Sequence, residues 1–230
     1  MADSISLLGY PDLTEKSYEV LKDQIIRGKL LPGERLLVVE QAHRLGISRT
    51  PVKDALNRLS AEGLVTRVPR KGYIVSNLDH QDVADLMEAR LLVELGAAER
   101  AIDLVKPEHI ARMRSLIADM ERFVDDRGRY LDYMEYLARD CDLHLQMVSI
   151  TNNQRIVEIY KGLNVLNYIV RMYYSAQLER GRVQTALDEH RAIVNALETH
   201  DLPALRLAIT RNIQAFINAY KAVIQPAIKP

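Results

Sequence analysis

LGISRTPVKDALNRLSAEGLV, residues 45–65, decides how this chain is read. Leu45-Gly46-Ile47 is a short glycine-bearing turn, with Gly46 placed to take the left-handed conformation that closes a helix. Ser48 offers an N-cap, and apolar residues at Val52, Ala55, Leu56 and Leu59 give one buried stripe of a helix that runs to about Glu62, before Gly63. That stripe turns Thr50, Lys53 and Asn57 outward, with Arg49 beside them near the helix start. Working upstream, a short helix spans about Val38 to Leu45 and Leu31-Pro32-Gly33-Glu34 signals a turn. The first helix runs from about Thr14 to Arg27, with Tyr18, Val20, Leu21 and Ile25 on its inner face and Gly28 ending it. Downstream the period changes to two. Leu64–Val68 and Tyr73–Val75 read as strands joined by the hairpin Pro69-Arg70-Lys71-Gly72.

Three helices followed by a β-hairpin is the order of a winged helix-turn-helix, with the third helix as the recognition helix. In such folds the start of that helix meets base edges in the major groove. Arg suits a bidentate contact with guanine, and Lys serves base or phosphate. The hairpin tip, Arg70 and Lys71 beside Gly72, can reach backbone phosphate or the minor groove. Charge agrees. The whole chain is neutral, with 31 Lys+Arg against 31 Asp+Glu, yet Arg35 to Lys71 holds 8 basic and 3 acidic residues, or +5. A basic stretch hidden by a neutral total is of the kind that approaches phosphates, although on charge alone a solvated face is the better explanation.

Pro32-Gly33-Glu34-Arg35-Leu36, the run from Leu45 to Leu56, Leu59–Val65 and the wing Val68–Val75 together resemble the GntR family of bacterial transcription regulators over about residues 14–76. The resemblance implies binding of a double-stranded operator through Arg35, Ser48, Arg49, Thr50, Pro51, Lys53, Asn57, Arg70, Lys71 and Gly72. The chain departs from the family at Val38, Val39 and Gln41, where Glu, Arg and Leu are usual. It therefore lacks a phosphate-contacting arginine on the second helix, and the packing there must differ. Lys53 stands where the family has Arg, keeping charge but losing the planar fork.

Beyond Asp79 the spacing is helical throughout. Six helices are predicted, at about 80–104, 107–125, 130–149, 153–174, 183–199 and 202–223. The fold expected is therefore mainly α: a winged helix-turn-helix over residues 1–77, joined through Ser76–Asp79 to a six-helix antiparallel bundle over residues 78–230. The joint is short, so coupled domains are expected. A bundle of this size behind such a head resembles the FCD effector domain of the FadR-like branch, in its six-helix VanR-type subgroup. That resemblance implies a homodimer sensing a small organic acid. It also implies a divalent transition metal held by an Asp, a His four residues on and two later His.

Asp140 and His144 stand at i,i+4 and leave one helix face together, so both can chelate one ion. His190, in Glu189-His190-Arg191, resembles the third ligand. The fourth falls at position 212, which is Asn. His200 is no substitute, being a helix-end residue. Two imidazoles, a carboxylate and an amide oxygen suit Zn, Ni or Mn with open positions, weakened by the missing imidazole. Asp140 and His144 bonded to each other, with His190 a core histidine, is the plainer reading. Arg90 lies on the stripe of Val83, Leu86, Met87 and Ala97. A charge there needs a partner. Glu94 at i+4 supplies one structurally, and an effector carboxylate, gripped by Arg90, is the functional alternative. Among 11 tyrosines, Tyr130, Tyr133, Tyr136, Tyr168, Tyr173 and Tyr174 fall in this half and can line a polar cavity or fill an ordinary core.

Composition excludes several classes. No run of about 18 apolar residues is present, so no membrane span is expected. The N-terminus has no secretion-signal pattern. The single Cys141 forms no internal disulfide and no cysteine zinc site, and a cytoplasmic location is the default. The leading function is a ligand-responsive regulator, a repressor relieved by its ligand, that binds a pseudo-palindromic operator as a dimer. A metal-dependent enzyme at Asp140, His144 and His190 is the rival, and it lacks a general base at recognisable spacing. A DNA-binding protein whose helical half only dimerises is the third reading.

Overall fold

A computed structural model describes residues 10–76, 80–173 and 182–224. The chain separates into two compact units, Met1–Asp79 and His80–Pro230. The joint expected at residues 76–79 lies, from 77 on, outside the described residues.

The first unit comprises α1 (Tyr10–Ile26), β1 (Arg35–Leu36), α2 (Val38–Leu45), α3 (Arg49–Ala61), β2 (Val65–Val68) and β3 (Gly72–Val75). Helix α1 packs on α3 over Tyr18, Leu21, Ile25, Val52, Ala55, Leu56 and Leu59, all buried. This apolar contact is the main stabilising surface of the unit. Val20 does not join it. It lies on the outer side of α1 and is 39% exposed, because the buried arc of the helix is centred on Leu21. Helix α2 closes as expected: Gly46 is left-handed, and the N–H of Ile47 reaches back to the carbonyl of Ala42. Gln41 is buried, at the position where the family resemblance puts Leu.

The sequence missed one strand. Arg35 and Leu36 pair antiparallel with Ile74 and Tyr73, giving a three-stranded sheet in the order β1-β3-β2. A two-residue strand carries no periodicity, so only its partner reveals it.

The second unit is helical: α4 (His80–Leu104), α5 (Pro107–Arg122), α6 (Tyr133–Ser149), α7 (Gln154–Tyr173), α8 (Val183–Glu198) and α9 (Leu202–Ile224). Helix α4 packs against α6, α7 and α9, and α5 against α6 and α8. Two predicted boundaries move. Helix α5 stops at Arg122, and α6 begins at Tyr133 rather than near 130. Asp132 explains the latter, since its carboxylate accepts from the backbone N–H of Met134 and Glu135 and so caps the helix. Between them Val124 bridges to Tyr130, and Asp125 accepts from the N–H groups of Arg127 and Arg129. The predicted punctuation at Gly181, and Tyr174 at the end of the fourth bundle helix, lie outside the described residues. No helix among the described residues is long and apolar enough to cross a membrane.

Candidate nucleic-acid face and candidate metal centre

In the first unit, burial of Val52, Ala55, Leu56 and Leu59 leaves Ser48, Arg49, Thr50, Lys53 and Asn57 exposed together at the start and outer side of α3. Ser48 is extended (φ −70°, ψ 163°), and its hydroxyl makes no capping bond. Pro51 is different: it is buried, so it packs and faces no ligand. Asn57 accepts a 2.5 Å hydrogen bond from the hydroxyl of Tyr73 on β3, which ties the recognition helix to the wing. Arg35 Nε donates to the carbonyl of Lys71, fixing the wing tip from β1. Arg70 (φ 62°) and Gly72 (φ 89°) are left-handed there. A Cβ on Gly72 would sit 3.0 Å from the carbonyl oxygen of Leu36, so its contribution is conformational. Arg58 stacks 3.7 Å over the Tyr18 ring and pairs with Glu15, a structural post.

In the second unit four helices converge on a buried polar cluster. Helix α4 supplies Arg90 and Glu94, α6 supplies Asp140 and His144, α7 supplies Tyr160 and Arg171, and α8 supplies His190, all buried. Arg90 Nε lies 2.6 Å from Glu94 Oε1, and the Tyr160 hydroxyl donates to the same oxygen at 2.7 Å. The second oxygen of Glu94 stands 2.9 Å from His144 Nδ1. Burial alone would raise the Glu94 carboxyl, but Arg90 and His144 outweigh it and bring it down to about 2. Glu94 is thus an ionised acceptor, Nδ1 of His144 is its donor, and the lone pair of His144 falls on Nε2. Burial lowers the His144 pKa, keeping the ring neutral.

Asp140 is held well below the ordinary carboxylate range; burial opposes this, and Arg171 and His190 overcome it. Arg171 pairs with Oδ2 of Asp140, and His190 Nε2 lies 3.1 Å from Oδ1. The latter two sit side by side without hydrogen-bond alignment, for among the described residues neither nitrogen of His190 has a hydrogen-bond partner, and nor does Nε2 of His144. Orphaned buried nitrogens are costly unless something binds them. The ligand atoms of Asp140, His144 and His190 all lie within 4.8 Å of one another. These three residues therefore fit a divalent transition metal, with Glu94 as the carboxylate that orients His144 from behind.

Asn212 on α9 lines a small cavity with Arg90, Asp140, Arg171, Arg182, Ala186 and Phe216, and its amide donates to Glu189 at 3.1 Å. Arg90 keeps both of its sequence readings: it pairs with Glu94, yet its Nη2 has no partner among the described residues. Sequence reasoning missed Tyr160, Arg171 and Arg182. Arg171 carried no signal of the kind that marked Arg90: the residues that share its buried helix face at i−4 and i−7 are Asn167 and Asn164, not apolar ones. His200 caps no metal: its Nδ1 bonds the carbonyl of Ile102 beyond the end of α8.

Residues 13–75 match the bacterial regulatory proteins of the gntR family, and residues 85–215 match the FCD domain. The chain is 31% identical over 133 residues to the Nta operon transcriptional regulator of Aminobacter aminovorans, covering 58% of this chain and 61% of that protein. It is 22% identical over 213 residues to the transcriptional repressor RspR of Escherichia coli K12, 93% of this chain and 91% of that one. In fold it is similar to E. coli McbR/YncC, with a TM-score of 0.76 at 22% identity over 92% of this chain and 98% of the other. Members of this family and these relatives are transcriptional regulators, not enzymes, so the enzymatic reading is set aside.

Proposed function

Because the chain belongs to the GntR family of bacterial regulatory proteins and carries an FCD domain, we propose that it is a ligand-relieved repressor. In this reading a homodimer presents two α3 helices to a pseudo-palindromic operator. Arg49, Thr50 and Lys53 meet bases, while Ser48, Arg70 and Lys71 meet phosphate or the minor groove. The exposure of these side chains beside a clamped wing supports it. Asn57 and Arg35 act by positioning the wing, and Pro51 and Gly72 by shaping the backbone. The second unit is read as the VanR-type subgroup on the six-helix spacing of its sequence.

The helical unit senses a small organic acid with the help of a divalent metal, zinc, nickel or manganese. The single observation that carries this is the convergence of unpartnered His144 and His190 nitrogens on Asp140, three buried groups from two helices within 4.8 Å. Asp140, His144 and His190 would hold the ion, which supplies a Lewis-acidic anchor for an anion; Asn212 lines the open side. An effector shifts DNA affinity only as far as it binds the two head arrangements unequally.

The test has two stages. Duplexes selected from a random pool by the purified protein should converge on an inverted repeat, and a Lys53→Ala variant should lose that selectivity. The selected duplex is then titrated by fluorescence anisotropy with a panel of organic acids, with and without added metal. DNA affinity unchanged across the panel would favour a helical unit that only dimerises.

A further inference from the structure

Asn57 is an exposed residue of α3 that the wing already holds. It follows Lys53 by four positions and Thr50 by seven, so the three share one side of the helix. Its carboxamide carries both kinds of group, an oxygen that accepts and a nitrogen with two N–H donors. Such an amide ordinarily turns with ease, because its last torsion is broad and roughly two-fold. Here it is tied, for the hydroxyl of Tyr73 donates to Oδ1 at 2.5 Å.

Tyr73 is a well-fixed donor. Its ring is buried, and its backbone lies in the central strand β3, opposite Leu36 of β1 and Arg67 of β2. The bond draws Oδ1 toward the wing. It leaves Nδ2, which has no hydrogen-bond partner among the described residues, as the group Asn57 offers outward. The neighbouring Arg58 does not compete, since it stacks on Tyr18 and pairs with Glu15.

An unrestrained asparagine reads adenine in the major groove, giving a hydrogen bond to N7 and taking one from N6. With Oδ1 engaged by the wing, that pairing loses its accepting half. Guanine presents two neighbouring acceptors, N7 and O6, and asks for no acceptor in return. We propose that Tyr73 makes Asn57 a donor-only reader, so that α3 selects guanine and rejects adenine at the base pair Asn57 meets. Tyr73 is then a positioning residue, which sets a base preference without touching DNA. The tie that steadies the wing thus also writes part of the operator sequence. The proposal rests on the reading of α3 as the recognition helix.

The experiment measures full-length protein by fluorescence anisotropy on the duplex selected from the random pool, with all four base pairs placed at each position in turn. The base pair read by Asn57 is the one at which Asn57→Ala loses discrimination. There the unaltered protein should favour guanine over adenine by about fivefold or more, the size of an unmet polar contact. Tyr73→Phe frees Oδ1 and should bring adenine level with guanine or ahead of it, while preferences at every other position stay as they were. A merely structural Tyr73 would weaken all duplexes alike. Preference for any base but guanine at that position, or a Tyr73→Phe variant that still rejects adenine, overturns the proposal. So does Asn57→Ala with discrimination unchanged everywhere. In that event Lys53→Ala separates two failures. Selectivity lost in Lys53→Ala would mean that α3 reads bases without Asn57, and selectivity kept would overturn the recognition helix itself.

Discussion

His144 Nδ1 lies 2.9 Å from Glu94 Oε2, with both side chains wholly shielded from solvent. The carboxylate fixes the tautomer and the ring orientation, so Nε2 faces the space shared with Asp140 and His190. A carboxylate behind a metal-binding imidazole is worth tenfold or more in affinity in known sites. Glu94→Gln should therefore weaken metal binding by about 10–100-fold, measured by competition with a chromophoric chelator. Unchanged affinity would show that Glu94 serves only to pair Arg90.

The same carboxylates make the apo protein acid-sensitive. Glu94 is lowered to about 2, and Asp140 lies well below its ordinary value. A group depressed on folding contributes stability that is complete above its unfolded pKa and is lost as pH falls through its folded one. The melting temperature of metal-stripped protein should thus decline from about pH 4.5 down toward pH 2, and Glu94→Gln should flatten part of that slope. A melting temperature constant down to pH 3 would refute the assignment.

On α3, Arg49 and Lys53 are exposed and, among the described residues, have no structural partner of the kind that occupies Arg58. Replacing either by Ala should cost about 1–3 kcal/mol on the preferred duplex and relax discrimination at one position. Arg70→Ala should instead weaken all duplexes alike and lower the salt slope by about one. Affinity measured at two salt concentrations on matched and scrambled duplexes separates the two behaviours.

The wing tolerates no side chain at its last tip residue. Gly72→Ala places a Cβ in a left-handed backbone 3.0 Å from the Leu36 carbonyl oxygen, and should destabilise the head by about 1–3 kcal/mol. Tyr73→Phe, which removes only the bond to Asn57, should cost about 0.5–1.5 kcal/mol. Urea unfolding of both variants checks the order; a milder effect for Gly72→Ala would contradict the geometry.

The helix-turn-helix was legible because its signals are local. The Gly46 turn, the Val52–Leu59 stripe and the change to period two after Gly63 each lie within a few residues, and backbone sterics and burial act at that range. Asp140 and His144 were legible for the same reason, as an i,i+4 pair. His190 and Asn212 came only through family resemblance. The β1 strand was not legible, since two residues show no period and their partners on β3, Ile74 and Tyr73, are 39 and 37 positions away.

What the sequence determined by itself was the element order, the buried faces and the residue types able to bind phosphate or metal. The tertiary structure alone decided which of these share a site. It placed Tyr160 on Glu94, 66 residues apart, and Arg171 on Asp140, 31 apart. It also buried Pro51, and turned Arg35 onto the Lys71 carbonyl. A side chain's periodicity reports that it is buried. Its partner depends on how helices from distant parts of the chain cross, and in the low-dielectric interior that partner sets charge, tautomer and ligand-binding capacity.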